Sequence, residues 1–310
     1  MQSIRNHSYS GGMIMKLSTL VSFLLLTSSL ATLCSANDPI EESRNAASDG
    51  RVTIENLSGT VVVEGWDKDE VTVTGTLAAD AEGFDFGGTE SRTTMEVVFP
   101  RRSRNLDDTD SDLKVRVPRD SQVFVSGVNI EIDLSGVNGR VRLESVNGRL
   151  TIVGSPRSIE AETVNGDIEI DAETDEVNAE SVSGDVSLHQ TSGLVEVATV
   201  TGNIDVAGGE FEDGEFTSVS GDILFEGSPT SDGELEFESH SGSARLILPE
   251  DLSAEYEVST FSGDIDNDFG PRPRKTSKYT PGQELEFTVG SGEASVSITS
   301  FSGTVHLEYK

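Results

Sequence analysis

Residues 163–184 read TVNGDIEIDAETDEVNAESVSG and contain one complete repeat of this chain, bounded at each end by the same four-residue motif. The motif is a hydroxyl residue, an apolar residue, a Ser, Thr or Asn, and then Gly. It occurs at Ser145-Val146-Asn147-Gly148, Thr163-Val164-Asn165-Gly166, Ser181-Val182-Ser183-Gly184, Thr199-Val200-Thr201-Gly202, Ser218-Val219-Ser220-Gly221, Ser239-His240-Ser241-Gly242, Thr260-Phe261-Ser262-Gly263 and Ser300-Phe301-Ser302-Gly303, with His240 in one apolar position. From Gly148 to Gly263 the motif glycines are spaced 18, 18, 18, 19, 21 and 21 residues apart, which predicts a repeat architecture.

The repeats have the alternating pattern of half-buried strands, as in Val195-Glu196-Val197. A unit of 18 residues supplies about two strands and two turns. Such a unit covers its apolar side only against its neighbours, so we expect an all-β, β-solenoid-like stack of 18–21-residue repeats. An antiparallel β meander or sandwich is the alternative, since Val-Asn-Gly turns also favour hairpins. In either fold we expect the glycine to turn the chain by adopting positive φ.

The remaining segments are predicted from their composition. Residues 1–36 have the charged, apolar and small-residue order of a signal peptide, with cleavage after Ala36. The alternative is a lipoprotein anchored through Cys34, although Leu33 stands where that signal normally has a small residue. Residues 37–50 lack apolar periodicity and are predicted as a disordered leader. We expect an N-terminal β layer over 51–126 and a β-repeat region over 127–310 that is continuous with it.

The charge of the chain restricts its partners and its compartment. It has 55 acidic and 22 basic side chains, a formal net charge of −33, which opposes binding to nucleic acid. No segment after the signal peptide reaches the roughly 20 apolar residues of a membrane-spanning helix. We therefore predict an exported protein, periplasmic or associated with the cell surface or outer membrane, with no transmembrane segment in the mature chain.

The sequence presents no catalytic, cofactor-binding or metal-binding residues that we can assign. His189, His240 and His306 are far apart along the chain, and the abundant serines recur at turns without a Gly-x-Ser-x-Gly elbow. These features predict a protein that is not an enzyme and has no cofactor. A carbohydrate-active enzyme on a β-helix scaffold is the alternative, but the single Trp66 offers little for stacking sugars.

Two acidic arrangements could bind a divalent cation such as calcium. Asp108, Asp110 and Asp112 have the spacing that begins a calcium loop, but Leu113 and Arg119 replace its glycine and closing glutamate. The second arrangement is a column, because a stack would align the acids that follow motif glycines, namely Asp167, Asp185, Asp222 and Asp264, with Asn203 interrupting them. We expect both arrangements to be solvated rather than metal-bound.

The basic residues are concentrated in one segment. Arg272, Arg274, Lys275 and Lys278 lie around two prolines, and we expect them to form an exposed loop with local ion pairs. Docking of this loop onto an acidic partner is the alternative.

The motifs, taken in order, resemble a known family. The sequence from Val52 to Trp66, the strand end at Val117-Pro118, the serial Val-Asn-Gly and Val-Ser-Gly-Asp turns and the closing Ser300-Phe301-Ser302-Gly303 resemble the bacterial "putative adhesin" β-strand-repeat family, a domain of unknown function related to the head-GIN adhesin-like domains. The resemblance covers essentially residues 51–310. It implies an exported all-β repeat fold and carries no catalytic residues.

Taken together, these observations predict a non-enzymatic cell-envelope protein that binds or scaffolds through its β-repeat faces. Its partner would be a protein or a glycan of the envelope or of another surface. The alternatives are the carbohydrate-active enzyme and an envelope-stress regulatory component.

Overall fold

The computed structural model describes residues 39–100, 110–277 and 281–310. These residues form strands and turns, and no helix occurs among them. The strands are β1 (Pro39–Asn45), β2 (Arg51–Trp66), β3 (Glu70–Thr76), β4 (Gly83–Thr89), β5 (Arg92–Val98), β6 (Ser111–Pro118), β7 (Gln122–Ser135), β8 (Arg140–Asn147), β9 (Leu150–Gly154), β10 (Ser158–Asn165), β11 (Ile168–Ser183), β12 (Val186–Thr201), β13 (Ile204–Ser220), β14 (Ile223–Ser241), β15 (Ala244–Leu248), β16 (Ala254–Ser262), β17 (Ile265–Asn267), β18 (Arg274–Lys275), β19 (Gln283–Thr288), β20 (Ala294–Ser302) and β21 (Val305–Tyr309).

The repeats stack as parallel rungs. Ile168 of β11 pairs with Val186 of β12, which pairs with Ile204 of β13, so equivalent residues of successive repeats lie side by side. Each rung contributes one segment to each of two sheets, and the motif glycine lies at the corner between them. The predicted β-solenoid-like stack is confirmed, and the antiparallel meander is wrong for the repeats because their neighbouring strands run parallel.

The front sheet, as we name it, contains the strand that enters each glycine corner. Its order is β4, β5, β2, β7, β8, β10, β11, β12, β13, β14, β20, β16, β19 and β18. The back sheet contains the strand that leaves the corner, in the order β1, β3, β6, β2, β7, β9, β11, β12, β13, β14, β15, β21 and β17. Long strands such as β11 bend at the edges and belong to both.

Chain order and spatial order differ at both ends of the stack. Strand β2, the first long strand, lies between β7 and the later strands β5 and β6. Strand β20, near the end of the chain, lies between β14 and the earlier strand β16. Antiparallel strands complete the ends, with β3 on β6 and β19 on β16. The rungs that contain β2 and β20 therefore lie inside the stack and not at its ends.

The core lies between the two sheets. Each rung directs its alternating residues inward, for example Ile168 and Ile170 from the back sheet and Val177 and Ala179 from the front sheet, all at most 2% exposed. Wider rungs hold a cluster of buried phenylalanines, Phe211, Phe216, Phe225 and Phe237, with ring centroids 5.0–6.0 Å apart. Larger side chains thus fill the core where the repeat lengthens from 18 to 21 residues.

The segment before Arg51 differs from its prediction. Residues 39–45 form β1 and pair antiparallel with β3, from Pro39 opposite Thr76 to Asn45 opposite Glu70. The prediction of a disordered leader over 37–50 is wrong for this part, because backbone pairing to an existing sheet edge needs no apolar periodicity. Ile40 also packs against the core. The predicted signal peptide, Cys34 and Leu33 lie outside the described residues.

The motif glycine is required by close approach of backbones. A Cβ atom on Gly184 would lie 1.9 Å from the carbonyl oxygen of Gly166 in the preceding rung, and Gly202 has the same relation to Gly184 at 2.0 Å. Gly184 does not have positive φ, so the predicted reason for the glycine is wrong at this corner, whereas positive φ is present at the corners of Gly148, Gly221, Gly242 and Gly303. The space between stacked corners excludes any side chain.

We expect Gly184→Ala to lower the free energy of unfolding by about 2–3 kcal/mol, because the added methyl group must separate two hydrogen-bonded corners. Chemical denaturation followed by circular dichroism would measure this loss. Gly87→Ala is the matched control, since nothing lies within 4 Å of a Cβ there and its φ is not positive. The control should change stability by less than about 0.5 kcal/mol, and equal losses in both variants would contradict the steric explanation.

Candidate binding face

The corner motif places its polar and apolar residues in an unusual way. The hydroxyl residue points inward, and the side-chain oxygens of Ser181 and Thr199 donate hydrogen bonds to the carbonyls of Gly166 and Gly184 in the preceding rung, at 3.1 and 3.2 Å. Since side chains alternate along a strand, the next residue points outward. This residue is the valine of the motif, so the corner buries a hydroxyl group and exposes an apolar side chain.

The exposed motif residues form a continuous apolar ridge along one margin of the front sheet. We define the apolar ridge as Leu57, Val128, Val146, Val164, Val182, Val200, Val219, His240, Phe301 and Phe261, in their spatial order. The valines are 38–45% exposed and Phe261 is 59% exposed. With about 4.8 Å between rungs, the ridge is roughly 40 Å long.

The ridge ends in an exposed aromatic stack. His240 lies parallel to Phe301 with ring centroids 4.6 Å apart, and Phe301 lies parallel to Phe261 at 4.7 Å. The stack follows from the topology, because the insertion of β20 between β14 and β16 brings residue 301 between 240 and 261. Stacking in chain order would instead place residue 261 between residues 240 and 301.

Glutamate rows, as we name them, occupy the outer surface of the front sheet beside the ridge. The row adjacent to the ridge contains Glu144, Glu162, Glu180 and Glu238, and the next row contains Glu160, Glu196, Glu215, Glu236 and Glu257. A groove of about 500 Å³ runs between the ridge valines and the adjacent row, and its lining includes Glu144, Glu162 and Glu180. The face therefore presents an apolar stripe next to a surface of negative charge.

Two carboxylates in these rows, those of Glu215 and Glu162, have raised pKa values. Desolvation raises the pKa of Glu215, and the neighbouring carboxylates of Glu196 and Glu236 raise it further. Desolvation also raises the pKa of Glu162, although Arg142 partly offsets this. Arg142 forms ion pairs with Glu144, Glu160 and Glu162, the last at 3.2 Å, and is the cation that crosses both rows.

The predicted aspartate column is present and has a structural role. An oxygen of Asp167 accepts the backbone N–H of Asp185 at 3.1 Å, and Asp185 likewise accepts the N–H of Asn203 at 2.7 Å. Asn203 continues the ladder, because its side-chain oxygen accepts the N–H of Asp222 at 2.9 Å. Asn203 thus interrupts the row of carboxylates between Asp185 and Asp222, as predicted, but it does not interrupt the ladder of hydrogen bonds. Asp264 instead accepts a hydrogen bond from Gln283.

The other residues considered from the sequence are dispersed. His189 lies on the back sheet opposite Asp171, and His306 is 3.8 Å from Asp266 there. The indole N–H of Trp66 donates to the carbonyl of Glu70 at 2.7 Å. Of the three described histidines and Trp66, only His240 lies in the candidate face.

The proposed calcium loop and basic cluster are described only in part. Asp110 accepts a hydrogen bond from Ser58, and Asp112 lies within β6, while Asp108 is outside the described residues. Within residues 39–100, 110–277 and 281–310, no three acidic, histidine or cysteine side chains are grouped to hold a metal ion.

In the basic segment, Arg274 and Lys275 form β18, and Arg274 lies 3.9 Å from Glu284. Arg272 is exposed beside them, and Lys278 is outside the described residues. The predicted local charge pairing is thus present at Arg274, on a short strand rather than in a loop.

Comparison with known proteins supports the fold. The family model of Toastrack DUF4097 matches residues 50–308. A crystal structure of a "putative adhesin" from Parabacteroides merdae is similar with a TM-score of 0.52 and 9% identity, covering 88% of this chain and 97% of that chain. These two findings confirm the resemblance inferred from the motifs.

Two further crystal structures are less similar. A "putative adhesin" from Bacteroides fragilis has a TM-score of 0.45 and 12% identity, covering 88% of this chain and 98% of that chain. A "putative lipid binding protein" from Parabacteroides distasonis has a TM-score of 0.43 and 12% identity, covering 87% and 96%. No curated protein matches this chain in sequence.

The raised pKa of Glu215 predicts a pH-dependent effect of its removal. Because the folded-state pKa lies above the unfolded value, stability is lost as the pH rises through the folded-state pKa. We expect Glu215→Gln to raise the melting temperature at pH 7 by about 1–3 °C, and the gain to disappear below about pH 4. Thermal unfolding between pH 3.5 and 8 would measure it.

Glu64→Gln is the control of opposite sign. A hydrogen bond from Lys114 and its charge lower the pKa of Glu64, so this carboxylate contributes stability above its unfolded pKa that is lost as the pH falls through the folded one. Its replacement should lower the melting temperature at pH 7. A similar decrease for both variants would contradict the unfavourable environment assigned to the Glu215 carboxylate.

Proposed function

This chain belongs to the Toastrack DUF4097 family, and we propose that it acts as an exported, non-enzymatic binding protein of the cell envelope. Its binding surface is the front sheet, with the apolar ridge as the contact that supplies affinity. The proposal agrees with the adhesin description of the similar Parabacteroides merdae structure. It assigns no reaction and no cofactor to the protein.

The continuity of the apolar ridge carries this proposal. Single exposed apolar side chains are normal on soluble proteins, whereas long contiguous apolar patches commonly mark sites of interaction. Here the exposed position recurs in every repeat, from Val146 to Phe261. The parallel rungs hold these side chains on a rigid sheet, so little conformational entropy is lost when a partner binds.

Export is the second part of the proposal. It rests on the signal-peptide pattern of residues 1–36 and agrees with the adhesin-like relatives. Among residues 39–100, 110–277 and 281–310, no helix has the length and apolarity needed to span a membrane.

Binding can be tested with paired substitutions on the two sheets. We expect Val182→Thr with Val200→Thr to reduce the retention of labelled protein on envelopes of its producing cells by about five- to tenfold, because two ridge contacts lose apolar area. Val153→Thr with Leu224→Thr removes exposed apolar area from the back sheet, where these residues are 46% and 36% exposed, and should leave retention unchanged. Equal retention of the wild-type protein, the ridge variant and the back-sheet variant would show that the ridge is not the binding surface.

Export can be tested by fractionation of the producing cells. The protein should be recovered outside the cytoplasm with Asn37 as its first residue, and Leu25→Arg should keep it uncleaved in the cytoplasm because the charge interrupts the apolar run. A first residue at Cys34 would indicate lipidation instead. Recovery of the wild-type chain in the cytoplasm with its N-terminus intact would refute the export part.

A further inference from the structure

We propose that the apolar ridge binds a cationic amphipathic helix of a partner polypeptide. This inference rests on the proposed function and specifies the chemistry of the partner. Its basis is the distribution of charge. Acidic side chains flank the ridge on both sides at Val164 and Val182, and they flank it on one side at Val146, Val219 and His240.

The two flanks arise from different parts of the repeat. On the sheet side, Glu162 and Glu180 precede the ridge valines by two residues and lie beside the groove. On the corner side, Asp167 and Asp185 follow the motif glycine and line the edge of the stack. Each flank therefore places carboxylates within about two to three residues of the ridge, that is, within roughly 10 Å.

This arrangement is complementary to one face of an amphipathic helix. Such a helix has an apolar stripe about 100° wide, and Lys or Arg side chains beside the stripe keep their charges in water while their stems cover apolar surface. A turn of helix advances 5.4 Å and a rung about 4.8 Å, so successive turns would contact successive ridge residues over several rungs. A ridge of roughly 40 Å could accommodate about 25 helical residues.

Other occupants match the surface less well. An added β-strand needs unpaired backbone groups, whereas the ridge side chains project from strands whose backbones are already paired on both sides. Anionic lipid and fatty acid head groups would be repelled by both acidic flanks. A second copy of this chain would bring its own glutamate rows against those of the first, at a cost in electrostatic repulsion.

The aromatic end of the ridge gives the helix a preferred position. Phe261 and Phe301 present parallel rings that are 59% and 46% exposed, with Glu238 in the adjacent row. Because His240 and Phe261 cover both faces of Phe301, the helix would contact these rings at their exposed edges with its apolar side chains. We expect this end to contribute more affinity per residue than the valine part.

The probe for the test is a fluorescent 21-residue helical peptide of leucine and lysine with all leucines on one face. Fluorescence anisotropy would give its Kd for the purified protein in 50 mM and 500 mM NaCl. We expect binding that weakens at least tenfold in high salt, because the contacts between lysine and carboxylate are screened. A peptide of the same composition in scrambled order, and one with glutamine in place of lysine, should each bind at least tenfold more weakly.

Substitutions then locate the contact. Val182→Thr with Val200→Thr should weaken peptide binding about five- to tenfold, and Glu162→Gln with Glu180→Gln should weaken it and reduce its dependence on salt. Phe301→Ser should have at least the effect of the valine pair. The back-sheet pair, Val153→Thr with Leu224→Thr, is the control for general effects and should leave Kd unchanged.

Several results would overturn this inference. They are equal binding of the scrambled or the uncharged peptide, an unchanged Kd in the ridge variants, displacement of the peptide by neutral phosphatidylcholine vesicles, and dimerisation in solution that the valine pair abolishes. If the peptide does not bind but the double substitution Val182→Thr with Val200→Thr still reduces retention on envelopes, the ridge remains the binding surface and only the partner class is wrong. If the valine pair affects neither measurement, the proposed function fails as well.

Discussion

The close approach of successive corner backbones is the constraint on which the structure depends. At these corners the carbonyl oxygen of one motif glycine lies about 2 Å from the point where a Cβ atom on the next rung's glycine would stand. The same carbonyl accepts a hydrogen bond from the buried hydroxyl of Ser181 or Thr199 at the equivalent corners. Glycine and hydroxyl thus fix the register of the rungs, and the register aligns every other column of side chains, including the apolar ridge and the glutamate rows.

This dependence explains why a protein of strong negative charge can maintain long rows of like charge. Register forces equivalent side chains to lie beside each other, so a glutamate in one repeat meets a glutamate in the next unless the sequence varies. The variation is visible where Ala198 and Thr217 replace the acid of the adjacent row, and where Arg142 bridges both rows. Desolvation and the repulsion between neighbouring carboxylates raise the pKa of Glu215, which lies on the face that we propose for binding.

Much of the fold could be predicted from the sequence, because the spacing of the motif records the length of each rung. The order of the end rungs could not, since nothing in the local pattern states that β20 lies between β14 and β16. The candidate face was missed for a different reason, because an apolar residue in a repeat is expected to be buried. The signal was nevertheless present, since an alternation that buries Ala179 and Ser181 must expose Val182.

The displaced order of the end rungs limits how the length of this molecule can change. A rung added at either terminus would have to be threaded between existing neighbours, whereas in the segment from β7 to β14 chain order and spatial order agree. Duplication or loss of whole repeats is therefore compatible with the fold only in this middle segment. Each such event would lengthen or shorten the apolar ridge by one side chain and leave the antiparallel strands at both ends of the stack unchanged. The length of the ridge can therefore vary without any change at the ends.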